Sequence, residues 1–162
     1  MSNLKDKFAG KIHEGMLTAE GRRFAIVAAR FNDFIVASLL KGASAAWAAR
    51  GGAPADLAIF RVPGAFELPL AAKKLGASGR YDAVVALGCV IRGDTPHFEY
   101  VAGECARGLQ QASLETGVPI AFGVLTVENV DQALERAATN AGNKGGEAME
   151  TALEMAALLK RL

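Results

Sequence analysis

Two cysteines, Cys89 and Cys105, are too few for a disulfide framework, and both fall in apolar strand or helix patterns. That usage points to a reducing compartment, the cytoplasm. Histidine is equally scarce, with His13 and His97 alone. The soft ligands Cys89, His97 and Cys105 are spread across strand and helix at a spacing that argues against zinc, so no metal site is expected. Clustered charge is missing too. Lys plus Arg number 18 and Asp plus Glu 17, a net charge of +1 without a basic tract, which gives no electrostatic case for nucleic acid. The longest uncharged runs, around residues 83–91 and 117–127, are well short of the roughly 20 residues that a membrane-spanning helix needs. The opening MSNLKDKFAGKIHEG carries basic residues without an apolar block behind them, unlike a signal peptide. Neither G-x-x-x-x-G-K-[ST] nor a G-x-G-x-x-G after the first strand is present, which excludes the common nucleotide loops. There is no internal repeat and no second domain.

What the chain has in abundance is apolar surface. Half of its 162 residues are hydrophobic and the mean hydropathy is +0.21, high for a monomer of this length, so burial between subunits is expected. Residues 1–21 are polar and weakly patterned and read as an N-terminal arm, ordered only against something else. Residues 22–162 form one α/β domain. RFAIVAA at 23–29, DLAIFRV at 56–62, the run at 83–90 and PIAFGVLT at 119–126 are four short buried strands. Helical spacing follows each: from Asn32 or Asp33 to Gly51-Gly52, about 66–75, 97–115, and from the capping-box pattern of Asn129 and Gln132 to Arg136. Gly142 to Gly146 reads as a break before a last amphipathic helix over 147–162. Strands alternating with helices predict a single-domain, flavodoxin-like three-layer sandwich, with a four-stranded parallel sheet and helices on both faces.

In such a sheet the loops leaving the strands' carboxyl ends share one edge, where open α/β sheets bind ligands. The unusual residues lie on those loops. In AVVALGCVIRGDTPHFEY, residues 83–100, a strand runs through Gly93 and Asp94 into Thr95-Pro96-His97. Thr95 suits an N-cap and Pro96 the first helical position. The backbone donors of this turn make a natural seat for an anion, and His97 beside it is either an ordinary helix-end polar residue or a general base. Phe31, just past the first strand, is either core or a stacking platform for a planar ring. Glu67 is either a carboxylate at a helix start or an acceptor for a polyol. Arg136 and Lys144 alone look like an ordinary pair near a helix end, and Cys89 like core.

Together these pieces resemble one family, 6,7-dimethyl-8-ribityllumazine synthase. The matching stretches are ARFND at 29–33, VPGAFELP at 62–69, ALGCVIRGDTPHFEYV at 86–101, FGVLTVENVDQALERA at 122–137 and AGNKG at 141–145, in family order. The resemblance implies the penultimate step of riboflavin biosynthesis. There 5-amino-6-(D-ribitylamino)uracil condenses with 3,4-dihydroxy-2-butanone 4-phosphate to give the lumazine, phosphate and water, with no cofactor or metal. It further implies that Phe31 stacks on the pyrimidine and Asn32 helps line its pocket, that Ala65, Phe66 and Glu67 hold the ribityl chain, and that backbone groups around Cys89, Val90 and Ile91 read the uracil edge. Gly93, Asp94 and Thr95 would cradle the phosphate and His97 move protons, with Asp94 itself turned outwards or capping the helix. Phe122, Arg136 and Lys144 would arrive from a neighbouring subunit, Arg136 as the phosphate clamp. Family members form pentamers, and some build hollow shells of twelve pentamers. Two rival activities share these residues: a non-catalytic flavin- or lumazine-binding or shell-forming protein of the same fold, and a hydrolase that uses Cys89 with His97.

Overall fold

In the computed structural model, residues 6–140 and 142–162 are described; Ala141 of the AGNKG stretch and the first residues of the arm lie outside them. The strands are β1 (Phe24–Ala29), β2 (Leu57–Val62), β3 (Ala83–Ile91) and β4 (Ile120–Val127), paired in parallel in the order β2-β1-β3-β4. The helices are α1 (Asp33–Ala49), α2 (Leu68–Gly76), α3 (His97–Thr116), α4 (Val130–Arg136) and α5 (Lys144–Leu159). The three-layer sandwich expected from the pattern is present.

The two inner strands are buried on both faces, so successive side chains feed two separate cores. Phe24, Ile26, Ala28, Val85, Leu87 and Cys89 pack under α1, α4 and α5. Ala25, Val27, Ala29, Val84, Ala86 and Val90 pack under α2 and α3. The outer strands are less covered. β2 leaves Ile59 and Phe60 exposed, and β4 leaves Phe122 about half exposed.

Local boundaries depart from the sequence pattern where packing overrides it. α5 begins at Lys144, so Gly145 and Gly146 belong to its first turn rather than to a break. A Cβ on Gly145 would collide with the backbone of Leu39, and one on Gly42 with the side chain of Asn143. These glycines let α1 and α5 approach each other. Asn143 seals the contact: its Oδ1 accepts from Gly146 N at 3.0 Å, and its Nδ2 donates to Ser38 O at 3.1 Å and Ala137 O at 3.0 Å. At the start of α4, Asn129 Oδ1 accepts from Gln132 N at 2.9 Å, while Gln132 reaches back to Glu128 N, one residue before the usual capping-box donor. α2 is preceded by a 3-10 turn over Ala65–Glu67. Within the arm, Ala19 is buried and its N–H donates to Arg50 O at 2.9 Å, while Glu14 O accepts from Arg161 at 3.2 Å.

Candidate active site

The strand order reverses between β1 and β3, because β1 is followed outwards by β2 and β3 by β4. Loops leaving the two central strands therefore diverge and open a crevice at their carboxyl ends. A pocket of about 730 Å³ fills it.

Its walls follow from the local structure. Arg30 N and Phe31 N donate to Val62 O at 2.8 Å and Pro63 O at 3.0 Å, which continues the β1–β2 ladder into the loops and sets Phe31 beside Gly64. A Cβ on Gly64 would lie 3.2 Å from the Glu67 carboxylate and 4.0 Å from Phe31 Cβ, so a residue without a side chain keeps these two groups close. Phe31 is 73% exposed and Phe66 60%, so both present apolar rings at the pocket instead of sinking into the core.

Asn32 has φ 60° and ψ 46°, the one left-handed non-glycine residue among the described residues. It stands at the N-cap of α1, yet its side chain makes no capping bond. Its Nδ2 instead donates across the crevice to Cys89 O at 2.8 Å. A strained backbone conformation held by a bond between the two diverging strands is a feature found at binding sites.

On the other wall, Gly93, Thr95 and His97 face the pocket with Cys89, Val90 and Ile91, whereas Asp94 is exposed and does not line it. α3 starts at His97, as its helical spacing predicts, with Pro96 rather than Thr95 at the N-cap; Thr95 Oγ1 accepts from His97 N at 3.4 Å, the contact a cap would make. Among the described residues, the backbone amides of Gly93, Asp94 and Thr95 have no hydrogen-bond partner in the chain. Phe98, Tyr100 and Val101 complete the lining. These three escaped the sequence reading, although Tyr100 and Val101 sit three and four residues after His97, the spacing of one helix face.

Phe122, Arg136 and Lys144 are not in this pocket. They line a second one, of about 390 Å³, along the outer side of β4, and the two linings share no residue. Arg136 Nη1 donates to Gln132 O at 3.0 Å, and Lys144 Nζ pairs with Glu147 at 2.7 Å. Among the described residues, no Lys or Arg lines the first pocket, and Glu67 is the one acidic group that does. The first pocket thus has unpaired backbone amides at its rim and no cation among the described lining residues, while the second holds Arg136 and Lys144.

Cys89 is buried, at 3% exposure, unlike the accessible thiol of a nucleophilic cysteine. Its side chain packs in the core under α1 and α5, and burial pushes its thiol up to about 11, so the thiolate that attack needs is suppressed. That burial disfavours the hydrolase reading, which full activity in Cys89→Ser would remove.

Comparison with known proteins agrees with the motifs. Residues 21–160 match the family described as 6,7-dimethyl-8-ribityllumazine synthase. A protein of that name from Syntrophus aciditrophicus (strain SB) is 56% identical over 151 residues, 93% of this chain and 98% of its own length. One from Chlorobium luteolum (strain DSM 273 / BCRC 81028 / 2530), with the same name, is 56% identical over 149 residues, 92% of this chain and 96% of its own. Matches of this extent leave neither the fold nor the main loops outside the alignment, and the chain belongs to the 6,7-dimethyl-8-ribityllumazine synthase family.

Proposed function

We propose that this protein condenses 5-amino-6-(D-ribitylamino)uracil with 3,4-dihydroxy-2-butanone 4-phosphate, releasing phosphate and water, in a site shared by two subunits of a ring. Phe31 stacks on the pyrimidine, Asn32 borders it, and the chain around Cys89, Val90 and Ile91 reads the uracil edge. Ala65, Phe66 and Glu67 hold the ribityl group, the Glu67 carboxylate accepting from its hydroxyls. The amides of Gly93, Asp94 and Thr95 receive the phosphate at the start of α3.

The chemistry asks for proton transfers and a fixed leaving group. Attack of the pyrimidine amine on the ketone forms a C–N bond and expels water, which requires a proton on the departing oxygen. Loss of phosphate follows removal of a carbon-bound proton, and ring closure forms a second C–N bond from the ribitylamino nitrogen to the remaining carbonyl carbon, whose oxygen leaves as a second water. His97, exposed at the pocket beside the phosphate seat, is placed to give and take these protons. Positioning of the two substrates contributes the rest.

The observation that carries this reading is the split of the site: a seat for phosphate with no cation, and Phe122, Arg136 and Lys144 in a separate pocket on a half-bare edge. An adjacent subunit that brings its β4 edge to the crevice supplies Arg136 as a charge-assisted clamp. Repetition of that contact closes a ring, which we take to be a pentamer. The connection from α4 to α5 is short, so a shell of twelve pentamers is also open to this chain. With two free cysteines and no described helix long and apolar enough to cross a membrane, we assign it to the cytoplasm.

The test is complementation. His97→Ala and Arg136→Ala subunits, each poorly active alone, are refolded together one to one. Random mixing leaves about a quarter of the shared sites intact. Phosphate release above the mean of the two parents, with mixed rings verified by mass, is the expected result. Activity equal to that mean places His97 and Arg136 in one subunit's site and overturns the shared arrangement.

A further inference from the structure

The phosphate-seat loop between β3 and α3 has little to hold its shape. Its five residues from Gly93 to His97 are all exposed, and a Cβ on Gly93 would meet nothing within 4 Å. Apart from the Thr95 contact to His97 N, no hydrogen bond inside the loop fixes the three free amides. The side chain that brackets the loop is Arg92. Its own N–H donates to Val127 O at 2.9 Å, so its backbone extends the β3–β4 ladder and is rigid. Its Nε then donates to Glu128 at 2.8 Å, on the loop after β4, and its Nη1 to Glu99 at 3.1 Å, in the first turn of α3. The guanidinium also lies over the Phe98 ring, 4.4 Å from its centre. One planar cation thus joins the end of β3, the loop after β4 and the two residues that follow His97.

Resting on the activity proposed above, we propose that Arg92 is a positioning residue: with Glu99 and Glu128 it clasps the start of α3 so that the Gly93–Thr95 amides and His97 are held in register for the phosphate substrate. Arg92 does not itself line the pocket. Two carboxylates neutralise its charge, so it acts on the anion through geometry rather than attraction. The fork of a guanidinium can reach two carboxylates while stacking on a ring, and an ammonium cannot. The clasp also continues outwards. Glu128 N donates to Gln132, whose carbonyl holds Arg136, so the seat of one site and the cation offered to the next share a hydrogen-bonded chain.

Because Glu99 and Glu128 are anionic, the proposal makes a prediction of unusual sign. Removing two negative charges close to an anion site should by charge alone tighten phosphate binding. If the clasp matters, it should weaken it. The experiment measures inorganic phosphate binding by calorimetry, and kcat and KM for each substrate, in the full-length protein and in two variants, Arg92→Lys and the double variant Glu99→Ala with Glu128→Ala. Expected are a loss of about tenfold or more in kcat/KM for the butanone phosphate in both variants, weaker inorganic phosphate binding in both, and a pyrimidine KM within about twofold of the parent. Restoring the acceptors as Glu99→Gln with Glu128→Gln should recover part of the loss. Unchanged or tighter phosphate binding in the double Ala variant overturns the clasp. Equal losses for both substrates with a lowered Tm also overturn it, as they would mean a general folding role. A parent protein that binds phosphate but condenses nothing would instead sink the proposed activity, and the phosphate titrations would still decide the clasp.

Discussion

At the residue scale, Cys89 and Asn32 illustrate how a side chain and its own backbone can serve different parts of the molecule. Cys89 sends its thiol into the core under α1 and α5, and its carbonyl, bonded to Asn32, faces the pocket. Cys105 is likewise buried, in the opposite core. Burial alone lifts both thiols from 9.0 to about 11, since an apolar surrounding penalises the thiolate. The sign for stability follows from linkage. A folded pKa above the unfolded one means the folded state holds its proton more tightly, so this contribution is complete below pH 9 and is lost as pH rises through about 11. The thiols should therefore be alkylated slowly by iodoacetamide in native protein at pH 8, and rapidly in guanidinium chloride. Fast native labelling of either cysteine would show that its surroundings open to solvent.

At the element scale, the contact between α1 and α5 depends on small residues at matched positions. Gly145 lies against the backbone of Leu39, and Asn143 fills the space that a side chain on Gly42 would need. Gly145→Ala removes a helix-weakening glycine, which by propensity alone should stabilise. Here the added methyl meets a carbonyl that cannot move without shifting a whole helix, so overpacking wins. The expected change is a destabilisation of about 1 to 3 kcal/mol, read from urea denaturation. Lys144, the first residue of α5, should move with it, so the variant should lose activity as well as stability. A neutral or stabilising effect would mean that α1 and α5 have slack at this point.

At the scale of the whole molecule, the isolated chain is a poor match for a monomer's surface. Phe31, Phe66 and Tyr100 are each at least 60% exposed around the crevice, and Leu70 and Leu114 protrude from α2 and α3. Both sheet edges, β2 and β4, carry half-bare apolar side chains. Exposed edges with apolar residues invite pairing with another chain. Multi-angle light scattering should give a mass that is a multiple of the 16.9 kDa chain, five times for a free ring and twelve times that for a shell. A species at the chain's own mass, with full activity, would remove the ring and with it the shared site.

The sequence by itself determined the elements and the sheet edge that carries the pocket. Four apolar runs of strand length, each followed by helical spacing, leave little choice but a parallel sheet with covered faces, and the positions of Phe31, Glu67, Gly93 and His97 after strand ends put them on one edge. These are consequences of local order along the chain, where period and turn chemistry are read directly. Tertiary structure decided what depends on atoms far apart in sequence. The glycines of α5 read as a break until α1 lay against them. Asn32, read with Asp33 as one of two candidate starts of α1, sends its side chain to the Cys89 carbonyl instead of capping that helix. Arg92 carried no signal at all, since its partners Glu99 and Glu128 stand at no common spacing and meet it only where β3, α3 and β4 converge. The separation of Arg136 and Lys144 from the crevice has the same origin: strand order, which periodicity does not encode, puts β4 on the sheet's outer edge, and Arg136 of α4 and Lys144 of α5 lie along it, away from the pocket of their own chain.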